Sequence, residues 1–369
     1  MPVMSSDAIP VLKPLMPDAA RLMPYLRQID QTRIYTNHGP LWHQFRAELE
    51  RWLASRTNSG PVFVIPTSNG TIAIEVALRL RALPGRRLCL MPSYTFIASA
   101  HAVCNVGLEP FLVDIDAATL TLTPEIAERA IAMLPEPPAA VLVISAFGAP
   151  PDIAAWTAFE DRCGIPVVFD AAAALASLTS IGAQPLAVSL HATKVFGIGE
   201  GGAIITTDSA FADRVVATIG FGFARTERVS NLRGGNYRIS EYAAAAGLAV
   251  LETIDAKIAM LKRIGHDYAR ALRGRASALQ AGAGTDWATM TLNVIVQASD
   301  LDRAIARLDA DAIQWRRWWG FGTHRHPAFA DLLCADLAIT ETMAPRVIGV
   351  PMFEELQPRQ IARVVEALT

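Results

Sequence analysis

Lysine is nearly missing from this sequence: it stands only at Lys13, Lys194, Lys257 and Lys262, and the other basic positions are arginine. Cysteine is scarce and scattered, at Cys89, Cys104, Cys163 and Cys334, with no CxxC pair. That argues against a disulfide or zinc framework and for a reduced, cytoplasmic setting. Neither sign of charge dominates; the formal net charge is −2 and no long run of like charge occurs, so nucleic acid is not expected as a partner. No apolar run approaches the ~20 residues of a membrane helix. The opening MPVMSSDAIPVLKPLMP has no basic stretch ahead of an apolar block, so no secretory signal is expected. Internal repeats are absent, and no low-complexity segment exceeds the alanine patch at 243–246.

What is present is a long chain of 369 residues, 52% hydrophobic, enough for a large core and two domains. Short β-branched and apolar runs recur at 61–66, 87–92, 110–114, 139–145, 165–170, 186–191 and 202–207. Helical patterns separate most of them, clearest at 71–83, 123–134 and 152–164. Alternating strands and helices predict an α/β fold with a mainly parallel seven-stranded sheet covered on both faces. After about residue 250 the pattern changes: one long helix is expected over 251–274, a strand over 291–297, and helices over 301–310 and 357–368. The expected division is a large domain, 1–250, and a smaller α/β domain, 251–369.

In open α/β sheets, ligands sit beyond the carboxyl ends of the strands. That rule selects the residues just after each strand. SNGT (68–71) follows one and opens a helix, where Gly70 lets backbone approach a ligand and the first N–H groups attract an anion. An ordinary N-capped turn explains the same residues. Phe96, in SYTF, can cover a flat heteroaromatic ligand or serve as core. Asp170 ends a buried-looking strand and needs a partner there, either a protonated ring nitrogen or the next helix. In SLHATKVFGIGEGG (189–202), Lys194 stands among apolar neighbours just before four glycines. The glycines precede a strand rather than open a helix, so the GxGxxG match is not a dinucleotide motif. An arginine-biased chain keeps a lysine where an amine must lose its proton, and this one suits a Schiff base. A phosphate cup, an aromatic cover, a carboxylate and a lysine are together the fittings of pyridoxal phosphate.

On these residues the chain resembles the DegT/DnrJ/EryC1/StrS nucleotide-sugar aminotransferases, which have the fold-type I pyridoxal-phosphate architecture. The resemblance runs from about residue 36 to the end and is strongest in SNGT, in 91–116, in 189–204 and in GGNYRISEYAAAAGLAVLE (234–252). It implies that Lys194 carries the cofactor and shuttles a proton, and that Asp170 pairs with the ring nitrogen. It assigns Gly70, Thr71 and Ser189 to the phosphate and Phe96 to the ring face. It implies that Asn236 reaches a neighbouring subunit's phosphate, hence a homodimer with shared sites. Candidate substrate contacts are Asn37, His38, Arg238, Trp318 and His324. The segment QWRRWWGFGTHRHPAF (314–329) groups Trp315, Trp318 and Trp319 with Arg316 and Arg317. It can stack a base or hold a pyrophosphate, or form a packed junction. His324 and His326 lack a third ligand at a supportive spacing, so no metal is expected.

Two departures stand out. Where the family commonly reads DAAQA this chain reads DAAAA, so Ala173 replaces the glutamine expected near the cofactor's phenolic oxygen. Ser145 stands where a histidine is often found. The implied reaction moves an amino group from glutamate to a nucleotide-linked keto-deoxyhexose, at C4 of a dTDP-4-keto-6-deoxyhexose. The alternatives are a C3, cyclitol or aminobenzoate aminotransferase, a sugar dehydratase, or a non-catalytic cofactor-binding regulator. Related deoxygenating enzymes carry histidine at the lysine position, so Lys194 favours transamination.

Overall fold

The computed structural model describes residues 8–223 and 228–369. All seven expected strands form: β1 Phe63–Thr67, β2 Leu88–Pro92, β3 Glu109–Val113, β4 Ala140–Ile144, β5 Val167–Asp170, β6 Leu186–Ser189 and β7 Gly202–Thr206. They make one sheet in the order β1-β7-β6-β5-β4-β2-β3. The five from β6 to β3 run parallel, and β7 is antiparallel to both β1 and β6.

The strands read as nearly continuous apolar runs because both faces are covered. Alternate residues enter two separate cores. Val64, Leu90, Val141, Val167, Leu186 and Ile205 face one side, and Ile65, Met91, Leu142, Val168, Ala187 and Ile204 the other. The first face packs against Trp42, Phe45 and Leu49 of α2 (Pro40–Ala54) and Trp156 and Phe159 of α6 (Ile153–Cys163). The second packs against α3 (Gly70–Arg81), α4 (Ala98–Asn105) and α7 (Ser209–Ile219). Asp152 and Asp208 cap α6 and α7 through their side chains.

A second, three-stranded antiparallel sheet, β8 (Ala278–Leu279), β9 (Asn293–Ile295) and β10 (Val347–Gly349), follows, with β9 in the middle. The helix expected over 251–274 is two. Helix α8 (Glu241–Leu251) ends before Thr253, and α9 (Ile254–Ala271) begins after it. The two helices have different surroundings: α8 is buried along most of its length, α9 along one stripe. An amphipathic pattern running on from an apolar one conceals the corner between them. At the other end, Ile9 pairs with Ile313, its N–H donating to the Ala312 carbonyl, so the start of the described chain lies against the C-terminal part. Among the described residues no helix is long and apolar enough to cross a membrane.

Candidate active site

The carboxyl ends of β1, β4, β5 and β6 open into one cavity of about 470 Å³, within the usual range for small-molecule sites. The sheet register sets its floor. Gly202 on β7 lies opposite both Thr67 on β1 and Ser189 on β6, and Asp170 on β5 lies opposite Ile144 on β4 and Ala187 on β6.

The left side of this floor is an anion cradle. Asn69 caps α3, its Oδ1 accepting from the Ile72 N–H at 2.9 Å. Gly70 and Thr71 then occupy the first helical positions, whose N–H groups have no intrahelical acceptor and carry the positive end of the dipole. Glycine is required at 70 by space: a methyl group there would lie 2.8 Å from Ser189 Cβ and 3.2 Å from its Cα. The Ser189 hydroxyl is thereby set beside the helix N-terminus.

Asp170 is 6% exposed. One carboxylate oxygen accepts from the Ser99 hydroxyl at 2.6 Å, the other from the Ala172 N–H at 3.1 Å. Burial pushes this carboxyl above the ordinary aspartate value, and the Ser99 and Ala172 donors and the Lys194 charge oppose that rise. Lys194 is held in a compact turn, its N–H donating to the His191 carbonyl and Ala192 donating to Gly199, both at 2.8 Å. Gly199 has φ +98°, and any side chain at Gly197 would meet the Ala192 carbonyl oxygen at 2.7 Å. Gly197, Gly199 and Gly201 therefore belong to the turn that precedes β7, and Gly202 is the first residue of that strand. Desolvation lowers the Lys194 amine below an ordinary lysine, with Asp170 pulling the other way. Burial thus disfavours the charge on each group, while their mutual attraction and the Ser99 and Ala172 donors oppose that effect.

The walls are aromatic and cationic. Phe96 is 55% exposed and lines the cavity, so it is not a core residue. Trp319 stacks on Phe147 with ring centroids 3.8 Å apart. Trp318, Arg316 and Arg317 line the same space. The Arg317 guanidinium lies over Trp315 and Phe321, and that of Arg316 over Trp318. The segment is thus both a packed junction and a cavity wall.

The structure gathers Gly70, Thr71, Phe96, Asp170, Ser189, Lys194 and Trp318 around this cavity. The remaining candidates lie outside its lining. Asn236 is exposed, and its side-chain oxygen accepts from Arg238 at 2.8 Å. Asn37 and His38 both adopt left-handed backbone ahead of α2. The His38 ring lies 4.1 Å from that of Trp42, tilted by 34°, and burial, followed by the Arg238 charge, lowers its pKa to about 4. Both ring nitrogens of His324 are engaged, Nδ1 with Ser93 Oγ at 2.7 Å and Nε2 with Glu341 Oε1 at 2.6 Å. Sequence reasoning missed Ser99, which sits in the first turn of α4 and reaches Asp170 across 71 positions. No local pattern marks it.

The donor set fits pyridoxal phosphate. A buried acid, an amine of lowered basicity, an N-terminal cradle that a side chain at Gly70 would fill, and a flat aromatic wall meet in one space.

Comparison with known proteins follows the same line. The DegT/DnrJ/EryC1/StrS aminotransferase family matches residues 18–369. The Mycobacterium tuberculosis protein Rv3402c is 31% identical over 98% of this chain and 89% of its own length. An Escherichia coli dTDP-4-amino-4,6-dideoxy-D-glucose transaminase is 27% identical over 99% of both. Among solved structures, DesI, crystallised with its TDP-sugar product, superposes with a TM-score of 0.85 and is 26% identical, over 100% of this chain and 93% of that one.

Proposed function

Because the chain belongs to the DegT/DnrJ/EryC1/StrS aminotransferase family, and is a transaminase on that footing, we propose that it transfers the amino group of glutamate to C4 of a dTDP-4-keto-6-deoxyhexose, with pyridoxal phosphate as cofactor. One observation carries the reading: Lys194 and Asp170, two groups of opposite charge whose burial favours the neutral form of each, line the cavity that also holds the N-terminus of α3. The names of the E. coli relative and of DesI's bound product support the sugar and the nucleotide.

The bound cofactor supplies an electron sink, which lets a C–H bond beside nitrogen ionise. The protein's residues do the rest. Gly70, Thr71 and Ser189 hold a phosphate at the helix N-terminus. Asp170, its charge supported by Ser99, holds a ring nitrogen protonated. The Lys194 amine, once neutral, takes a proton from the donor's α-carbon and returns it within the same enclosure. Phe96 and Trp318 exclude water from one side, and Arg316 and Arg317 offer positive charge to an anionic substrate.

The reading includes a homodimer. Asn236 and Arg238 lie off the chain's own cavity, beside the exposed rings of Phe221 and Phe223, with Tyr35 and Tyr242 also exposed. Such an apolar patch with polar tips suits a second copy, whose phosphate cradle Asn236 would complete. The test is the purified enzyme with glutamate and a panel of keto-sugar nucleotides. Stoichiometric 2-oxoglutarate, with a dTDP-4-amino sugar identified by mass and NMR, is expected. Amination at C3, or loss of oxygen without 2-oxoglutarate, refutes the assignment.

A further inference from the structure

Ser145 stands at the end of β4, directly before the cavity, and is 6% exposed. Its backbone N–H donates to the Asp170 carbonyl at 2.9 Å. Its hydroxyl is buried and has no hydrogen-bond partner. Four other hydroxyls lining the cavity are engaged: Thr95 with Ser99, Thr193 with His191, Thr291 with Thr289, and Ser189 with the His191 N–H. A buried unpaired hydroxyl at a cavity wall calls for a ligand atom.

Strand order says which atom. Reading across the sheet, β6 carries Ser189, β5 carries Asp170 and β4 leads to Ser145. The phosphate cradle therefore lies on one side of Asp170 and Ser145 on the other. In pyridoxal phosphate the phosphate arm and the phenolic oxygen flank opposite sides of the line from the ring nitrogen to the aldehyde carbon. With the nitrogen at Asp170 and the aldehyde carbon at Lys194, the side facing β4 is the side of the phenolic oxygen. Ala173, which also lines the cavity, has only a methyl group to offer.

We propose that the Ser145 hydroxyl donates a hydrogen bond to the phenolic oxygen of the cofactor, the place left open by Ala173. The assignment rests on the pyridoxal-phosphate reading above and adds a binding residue to it. It is tested by a cycle of two proteins and two cofactors. Wild type and Ser145→Ala are titrated with pyridoxal phosphate and with its 3-deoxy analogue, which lacks that oxygen. Binding is followed by quenching of tryptophan fluorescence, since Trp318 and Trp319 line the cavity. Ser145→Ala is expected to weaken pyridoxal phosphate about tenfold, the effect of one hydrogen bond to a charged oxygen. The same variant is expected to bind the analogue within about twofold of wild type. Equal loss on both cofactors, or no loss on the natural one, overturns the proposal while leaving Lys194 and Asp170 in place. Failure of wild type to bind pyridoxal phosphate, or borohydride fixing it to a lysine other than Lys194, overturns the underlying reading and this one with it.

Discussion

Gly202→Ala should damage the fold and the anion cradle together. Gly202 opens β7 between Thr67 and Ser189, directly under the turn that enters α3. Its backbone is in a region any residue adopts, so alanine meets no conformational objection. The objection is space: the added methyl would fall on the Asn69 carbonyl group and 2.7 Å from the Gly70 nitrogen. These are backbone atoms, which cannot rotate away, and the approach is about 1 Å inside ordinary carbon contact. Relief requires the 69–70 turn to lift or β7 to shift in the sheet. Overpacking of this kind costs about 1–3 kcal/mol, and the upper end is expected because Asn69 also caps α3. Lifting the turn by about an ångström weakens charge-assisted bonds from the helix N-terminus, each worth about 1.5–3 kcal/mol, so phosphate-bearing ligand should bind about tenfold to a hundredfold more weakly. Urea unfolding gives the first quantity and pyridoxal phosphate titration the second. Gly60→Ala is the control, since a methyl group there touches nothing; it should stay within about 0.5 kcal/mol of wild type. If Gly202→Ala unfolds with the parent and binds with the parent's affinity, the cradle is not where the sheet register puts it. If it is destabilised but binds normally, the turn supports the fold and not the phosphate.

Other outcomes follow from the same geometry. Lys194→Ala should keep non-covalent cofactor binding and lose at least about a thousandfold in product formation. Because desolvation lowers this amine below an ordinary lysine, borohydride reduction in the presence of pyridoxal phosphate should fix the cofactor on Lys194, read by peptide mass spectrometry. Ser99→Ala removes a donor to the Asp170 carboxylate. The acid's pKa then rises further, the charged form is lost at a higher pH, and the acidic limb of the rate profile should move upward, with about a tenfold loss of rate on that limb. Glu241→Ala should destabilise by about 2–4 kcal/mol in denaturant, because the buried Glu241 carboxylate accepts from the Leu41 and Trp42 N–H groups at 2.8 and 2.9 Å and both would be orphaned at the start of α2.

Much of the sheet was legible because burial on both faces leaves apolar runs that composition alone reveals. The direction of β7 was not, since a run such as GAIITT carries no mark of the neighbour it pairs with. The corner at Thr253 was hidden for a related reason: two helices with different surroundings joined without glycine or proline read as one period. Phe96 was ambiguous as a residue type, and exposure resolved it. Gly70 and Lys194 were legible because both depend on chain-local chemistry, a helix start and a glycine-rich turn. Ser99 and the unpaired hydroxyl of Ser145 were not, because their significance lies in partners on other elements, or in having none.

By itself the sequence determined the alternation of strands and helices and the strand ends at which chemistry can sit, and it singled out Lys194 as the candidate amine. These follow from local periodicity and side-chain type, which the chain carries wherever it folds. Only the tertiary structure decided that β1, β4, β5 and β6 empty into one space, and that Asp170 and Lys194 share it. It alone set Asn37, His38, Asn236 and Arg238 outside that lining. Strand order and register are long-range choices, made by which faces pack, and no short stretch of residues contains them.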